Sequence, residues 1–191
     1  MKFLIVGLGN VGEEYVNNRH NIGFLVLDAL AEASKIPFKL KRHAFTSEFK
    51  FKGRIFVLIK PTTYMNLSGK AVNYWLQKEK IPLENLLVIV DDIALPCGTL
   101  RMREKGGDGG HNGLQNINEV LGTNNYARLR FGIGAEFPKG SQVNYVLGEW
   151  TKSEEKIVLQ RVDQVIEMIK SYATIGVQKT MSEFNKKITI M

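Results

Sequence analysis

Five consecutive apolar residues, Leu86 to Val90, lead directly into two aspartates, Asp91 and Asp92. An uninterrupted apolar run of this length is typical of a strand that is buried on both faces, as in the centre of a parallel sheet. The run therefore predicts an α/β fold. It also places the two carboxylates at the carboxyl end of a central strand, where open α/β sheets bind their ligands.

The rest of the chain alternates between strand and helix patterns. Strands are predicted at 3–7, 45–51, 54–59, 99–103 and 126–133, and helices at 22–33, 68–79, 113–121 and from Ser153 past Ile169. Ser68 is expected to cap the second helix, and Lys52-Gly53 to form the turn of a hairpin. We expect a single three-layer α/β domain over residues 1–191, with a mixed, mostly parallel central sheet flanked by helices.

Composition limits the compartment and the partners. The chain has 26 Lys and Arg against 19 Asp and Glu, a net charge of +7, which attracts an anionic partner. Its single cysteine, Cys97, excludes an internal disulfide, and no apolar run approaches membrane-spanning length. Polar residues follow Gly7 too soon for a signal peptide. A cytoplasmic protein with no membrane partner is expected.

Two predicted strands carry alternating cations. Arg101, Arg103 and Lys105 fall on one face of the first, and Arg128 and Arg130 on one face of the second. Either stretch alone is as consistent with a solvated sheet face as with a phosphate-binding surface. Together they favour nucleic acid as the partner.

The first strand is followed by Gly7-Leu8-Gly9-Asn10-Val11-Gly12, which matches the G-x-G-x-x-G fingerprint of dinucleotide binding. That fingerprint requires a helix to begin in the turn and an acidic residue to end the next strand. Residues 13–20 are instead polar and aperiodic, and Asp28 falls inside the predicted helix. The glycines are interpreted as a tight turn that presents Asn10, and no cofactor is expected.

Histidine stands beside asparagine twice, at His20-Asn21 and at His111-Asn112, and a further amide, Asn66, follows a tight run. Neutral amides suit recognition of a peptide backbone or a ribose, and an imidazole among them can act as a base. Asp91 can accept a hydrogen bond from one nitrogen of such an imidazole and leave the other free to activate water. The alternative is that these are turn and cap residues, and pattern alone does not separate the two.

Two other chemistries have less support. A serine nucleophile is disfavoured because Ser68 falls at a predicted cap and no G-x-S-x-G motif occurs. Three histidines without ligand spacing and one cysteine give no metal site in the sequence pattern.

Five motifs follow one another along the chain. They are Gly-Leu-Gly-Asn at 7–10, Arg-His-Asn-Ile-Gly at 19–23, Lys-Pro-Thr-Thr-Tyr-Met-Asn-Leu-Ser-Gly at 60–69, Gly-Gly-His-Asn-Gly-Leu at 109–114 and Arg-Leu-Arg-Phe-Gly-Ile-Gly at 128–134. With Tyr-Val-Leu-Gly at 145–148, the chain resembles the bacterial peptidyl-tRNA hydrolase family over most of its length. Only the C-terminal helix region lacks a motif.

The resemblance implies hydrolysis of the ester between a peptide and the terminal ribose of tRNA, without metal or cofactor. It implies His20 as the base, Asp91 as the carboxylate that holds it, and Asn10 as the amide that distinguishes blocked from free aminoacyl groups. Contacts to the tRNA 3′ end and the peptide are implied for Tyr15, Tyr64, Asn66 and Asn112, and a phosphate clamp for Arg103 and Arg130. The implied partners are peptidyl-tRNA and the stalled large ribosomal subunit, and the implied state is a monomer.

Three features depart from the family pattern. Ala94 stands where a second acid is usual, Cys97 stands where proline is usual, and residues 105–108 differ from the usual Gly-Gly-Ser-Ala. These positions concern the rim of the cleft. A non-enzymatic nucleic-acid binder on the same fold is the alternative, but such a protein should lack the base or its partner, and this chain has both.

Overall fold

A seven-stranded sheet forms the centre of the computed structural model, which describes residues 1–186. Its strands are β1 (Lys2–Gly7), β2 (Lys39–Lys41), β3 (Ala44–Phe51), β4 (Arg54–Pro61), β5 (Leu86–Asp92), β6 (Leu100–Arg103) and β7 (Ala127–Gly132). Their spatial order is β2-β3-β4-β1-β5-β7-β6. The four neighbours β4, β1, β5 and β7 are parallel, and the remaining strands pair antiparallel at the two edges. The predicted mixed sheet with a parallel core is confirmed.

Helices cover both faces of this sheet. They are α1 (Ile22–Ala33), α2 (Ser68–Lys78), α3 (Asn112–Leu121), α4 (Gln142–Val146), α5 (Lys152–Ile175) and α6 (Val177–Phe184). One apolar core lies between the sheet and α1 and α5, and a second lies between the opposite face and α2 and α3. The three-layer arrangement follows from these two cores.

The apolar run that predicted a central strand lies in β5. Leu87 and Ile89 belong to the core beneath α1 and α5, whereas Leu86, Val88 and Val90 belong to the core beneath α2 and α3. Successive side chains of a strand point to opposite faces, so a strand between two cores must be apolar at every position. Asp91 then stands at the carboxyl end of this strand.

Helix α1 packs directly on the end of β1. A Cβ atom on Gly7 would lie 2.3 Å from the carbonyl oxygen of Gly23, and one on Gly23 would lie 2.4 Å from the backbone nitrogen of Leu8. Glycine is therefore required for this close approach. The segment between them leaves the sheet and returns through a short 3-10 helix, Arg19–Asn21, instead of starting a helix at the glycines.

Some local predictions were wrong. Ser68 is the first residue of α2 and donates its hydroxyl hydrogen to the carbonyl oxygen of Met65 at 2.7 Å, so it is not a cap. The long helix α5 begins with a capping box between Thr151 and Glu154, one residue ahead of the predicted start. Strand β2 and helices α4 and α6 were not predicted. Among residues 1–186, no helix is both long and apolar enough to cross a membrane.

Candidate active site

Three side chains from distant parts of the chain meet at the carboxyl edge of the parallel strands. Asp91 ends the buried part of β5, His20 lies in the 3-10 helix before α1, and His111 is the residue that precedes α3. The rings of His20 and His111 lie with their centroids 4.9 Å apart. The carboxylate is shared between them.

Asp91 holds His20 by one ring nitrogen. Nδ1 of His20 lies 2.9 Å from each carboxylate oxygen of Asp91. Because a carboxylate only accepts, Nδ1 carries the hydrogen and Nε2 remains a free base in the neutral ring. The alternative in which Asp91 is a turn residue is thereby excluded, since Asp92 has that role and accepts a hydrogen bond from the backbone nitrogen of Ala94 at 2.8 Å.

The tautomer of His111 is fixed from both sides. Its Nδ1 accepts hydrogen bonds from the backbone nitrogens of Gly113 and Leu114, at 3.1 and 3.4 Å, and so caps α3. Its Nε2 must then carry the hydrogen, which it donates to Asp91 Oδ1 at 2.8 Å. His111 thus anchors both the helix that begins at Asn112 and the carboxylate. The sequence motif drew attention to this residue but did not predict its contact with Asp91.

The electrostatics of Asp91 favour its ionised form. Burial alone would raise the pKa of this carboxyl, but the neighbouring His111 and His20 and their hydrogen bonds outweigh burial and hold the pKa well below its usual range. Asp91 is 5% exposed, so water contributes little to this balance. The carboxylate is an acceptor for both imidazoles at neutral pH.

A cavity of about 100 Å³ opens beside this cluster. His20, Asp91 and Asn112 line it, together with residues 108–111 and residues 142, 143 and 146 of α4. The other predicted site residues are not among those that line it. The structure thus brings together the proposed base, its carboxylate and one amide in a single recess.

Asn10 lies on the turn after β1 and, with Asn21, lines a separate cavity. The side chain of Asn21 accepts a hydrogen bond from the Asn10 backbone nitrogen at 2.7 Å and donates one to the Asn10 carbonyl oxygen at 2.9 Å. Asn21 directly follows His20, so this pair of bonds ties the Asn10 turn to the imidazole. Asn21 was present in the motif but had no role assigned from the sequence.

The remaining residues proposed for the tRNA 3′ end and the peptide lie on more open surface. Tyr64 is 80% exposed and Asn66 is exposed beside it, in the segment that precedes α2. Tyr15 is half-buried in the loop between β1 and α1. None of them is held by a side-chain hydrogen bond described for residues 1–186.

The cationic strands differ from the predicted ridges at two positions, because Lys105 lies beyond the end of β6 and Arg128 is buried. Arg103 is exposed, and Arg130 pairs with Asp92. Arg128 is 1% exposed and donates to the carbonyl oxygens of Gly106, Gly107 and Asn124, so its inclusion in a solvent-facing ridge was wrong. A guanidinium in this position organises the 106–107 loop instead of presenting charge to solvent. Arg103, Arg130 and this loop line a second cavity of about 340 Å³.

Arg19, directly before the proposed base, forms a buried anchor. Its guanidinium donates to the carbonyl oxygen of Tyr145 at 2.9 Å and to Glu154 at 3.0 Å, and lies 4.1 Å from the centroid of the Tyr145 ring. Glu154 also closes the capping box of α5. The 3-10 helix that carries His20 is thereby tied to the start of α5 and to α4, which forms one wall of the recess that His20 lines.

His20, Asp91 and His111 also form a group whose donor atoms all lie within 4.8 Å of one another, which is close enough to surround a metal ion. Ligand spacing in the sequence does not reveal this group, because the fold brings its members together from three distant segments. Nδ1 of His20 and Nε2 of His111 are both hydrogen-bonded to Asp91, and Nδ1 of His111 accepts from the backbone. These hydrogen bonds are those of an acid–base cluster.

An imidazole held by a buried carboxylate in a recess at the carboxyl edge of a mixed α/β sheet is an arrangement that hydrolytic enzymes use to activate water. The family model of peptidyl-tRNA hydrolase matches residues 4–190, and the chain belongs to this family.

Known proteins agree with this assignment. The chain is 57% identical to a peptidyl-tRNA hydrolase of Bacteroides fragilis and 56% identical to one of Cytophaga hutchinsonii, each over 98% of this chain and 100% of the relative. A crystal structure of peptidyl-tRNA hydrolase from Acinetobacter baumannii superposes with a TM-score of 0.90 at 34% identity, covering 96% of this chain and 94% of that one. A crystal structure of a peptidyl-tRNA hydrolase in complex with N-propanol gives a TM-score of 0.92 at 33% identity, over 98% and 96% of the two chains.

Proposed function

We propose that this chain hydrolyses the ester between a peptide and the 3′ ribose of tRNA with water activated by His20. The observation that carries the proposal is the shared carboxylate. Asp91 accepts from Nδ1 of His20 and from Nε2 of His111, which leaves Nε2 of His20 as the basic nitrogen of the cluster. Both histidines line the same recess, so a water and an ester carbonyl can meet there.

The proposed reaction moves one proton twice. Nε2 of His20 takes a proton from water as the water oxygen attacks the ester carbonyl, and the tetrahedral intermediate then expels the ribose 3′ oxygen. The imidazolium returns the proton to this leaving oxygen, so that the products are a peptide acid and tRNA with a free 3′ hydroxyl. Asp91 stabilises the imidazolium and stays ionised throughout, in keeping with its lowered pKa.

Amide side chains are proposed to recognise the substrate. Asn112 lines the recess that holds His20. Asn10 is hydrogen-bonded to Asn21, the residue that follows His20. A neutral amide can hydrogen-bond the amide of an N-blocked aminoacyl group without desolvating the ammonium of a free one. Tyr15, Tyr64 and Asn66 are proposed to contact the tRNA 3′ end and the peptide.

The same proposal covers the wider context. Arg103 and Arg130 are proposed to clamp phosphate, and the domain is proposed to span residues 1–191, of which the last five lie outside the described residues. The protein is proposed to be a cytoplasmic monomer that recycles tRNA from abandoned translation, with the stalled large ribosomal subunit as a further partner. The net charge of +7 supports an RNA partner.

The test compares N-acetyl-aminoacyl-tRNA with the free aminoacyl-tRNA. The blocked substrate is expected to be cleaved far faster, and Asn10→Asp should narrow the gap, because an acceptor-only anion attracts the ammonium and cannot donate to an amide. Asn73→Asp, on the outer helix α2, is the matched control and should keep the wild-type ratio. Equal cleavage of both substrates by the wild type would contradict the proposed function, and an unchanged ratio in Asn10→Asp would remove only the role of Asn10.

A further inference from the structure

A cluster of basic residues lies at the same edge of the sheet as the reaction centre, on the side away from β7. Arg42 and His43 directly precede β3, whose first residue, Ala44, pairs with Pro61 at the end of β4. Strand β4 runs parallel to β1, so these two residues share the carboxyl edge of the sheet with His20 and Asp91. Lys70 joins them from the first turn of α2.

Tyr74 holds this cluster in place. The Arg42 guanidinium lies 5.2 Å from the centroid of the Tyr74 ring, and the ring of His43 meets the same tyrosine edge-on at 5.5 Å. The backbone is fixed as well, because Trp75 Nε1 donates to the Arg42 carbonyl oxygen at 2.9 Å, and the Thr62 backbone nitrogen donates to that of His43 at 2.8 Å. A stacked guanidinium keeps its N–H donors free for an anion.

The cations are crowded and uncompensated. No ion pair within residues 1–186 neutralises Arg42 or Lys70, and both are exposed. Burial, together with repulsion from Lys70 and Arg42, lowers the pKa of His43. Repulsion between like charges on a fixed backbone destabilises the free protein, and binding of a polyanion relieves that repulsion.

We propose that Arg42, His43 and Lys70 form a second contact for the tRNA phosphate backbone. The proposal rests on the proposed function, which supplies the RNA. The contact lies across the reaction centre from Arg130, since β3 and β7 are four strand spacings apart, roughly 19 Å. Tyr64 and Asn66, proposed for the tRNA 3′ end, lie in the segment that joins β4 to Lys70. The RNA is thus held at two places on this edge of the sheet, one on each side of the reaction centre.

The test is the salt dependence of tRNA binding by Arg42→Gln/Lys70→Gln. Each lost phosphate contact lowers the slope of log Kd against log salt by roughly 0.7–0.9, so the rise in Kd between 50 and 200 mM salt should be about tenfold smaller than for the wild type. The matched control is Lys50→Gln/Lys52→Asn, which removes two cations from the β3–β4 hairpin at the opposite edge and should keep the wild-type slope. Asn is chosen at position 52 because Lys52 has a positive φ of 47°.

Two further measurements separate RNA contact from damage to the site. Hydrolysis of a peptidyl ester of a single nucleoside should proceed at the wild-type rate in the double variant, while KM for peptidyl-tRNA rises at low salt. Tyr74→Leu should reproduce part of the change in slope, and Tyr74→Phe should not. A wild-type slope in the double variant, an equal change in the control, or equal loss on the nucleoside ester would overturn the proposal. Because tRNA binding is measured with unacylated tRNA, the slope of log Kd against log salt does not depend on whether the ester is cleaved.

Discussion

At the scale of single residues, the site depends on one carboxylate that serves two imidazoles. Asp91 fixes the hydrogen of His20 on Nδ1, and His111 helps to hold Asp91 in place while capping α3. The sequence predicted Asp91 from its place after an apolar strand, and His20 from the family resemblance. The hydrogen bond between His111 and Asp91 was not predictable, because it joins residues 20 positions apart that only the fold brings together.

Asp91→Asn tests this arrangement. The substitution removes the negative charge that stabilises the imidazolium, and an amide N–H facing His20 would favour the tautomer with hydrogen on Nε2, which removes the free base. We expect at least about tenfold lower kcat, a smaller loss than for His20→Ala. A folded Asp91→Asn enzyme with wild-type kcat would contradict the role of this carboxylate.

At the scale of elements, the sequence predicted the core strands and the long helices, because burial between two layers requires the apolar patterns that they carry. Helix α1 begins and ends where its periodicity predicted. Two of the missed elements lack such a pattern, whereas α6 has apolar residues at helical spacing in Val177, Met181 and Phe184. Strand β2 is three exposed residues, Lys39–Lys41, held by pairing with β3, and α4 has five residues, none of them buried.

Helix α4 forms a wall of the recess, and Arg19 ties it to the segment that carries His20. Arg19→Lys keeps the charge but loses the paired N–H groups and the stacking on Tyr145. Because small displacements of reacting groups cost up to about 100-fold, kcat/KM should fall roughly 10- to 100-fold at temperatures well below unfolding. Lys2→Met, which removes an ion pair with Glu79 at the far edge of the sheet, should leave kcat/KM unchanged. A lower melting temperature with wild-type kinetics in Arg19→Lys would show a purely structural role.

At the scale of the whole molecule, exposed cations occur at both edges of the sheet, and the cations proposed to bind RNA are Arg42, Lys70, Arg103 and Arg130. Composition predicted an anionic partner, but it did not distinguish Arg128, which is buried against loop carbonyls, from Arg103 and Arg130. Alternation along a strand predicts which side chains share a face. It does not predict that the 106–107 loop covers Arg128, because that contact joins distant parts of the chain. Arg130 is paired with Asp92 in the free protein, so phosphate must compete with or join that pair.

Arg103→Ala/Arg130→Ala tests the phosphate clamp. The variant should bind tRNA more weakly at low salt, and the slope of log Kd against log salt should fall by roughly 1.4–1.8 for two lost contacts. Kinetics on a peptidyl ester of a single nucleoside should not change, because that substrate does not reach the clamp. An equal loss on both substrates would assign the two arginines to the reaction centre or to folding instead.

The central claim is that His20 activates the water that cleaves the ester, and single-turnover hydrolysis of N-acetyl-aminoacyl-tRNA by His20→Ala tests it most directly. With enzyme in excess and tRNA binding measured in parallel, the account predicts a rate about 10²- to 10⁴-fold below the wild type, with tRNA affinity nearly unchanged. Added imidazole should restore part of the rate, because the recess left by the ring can admit a small base. A folded His20→Ala enzyme that binds tRNA normally and cleaves it at a rate near the wild type would contradict the account.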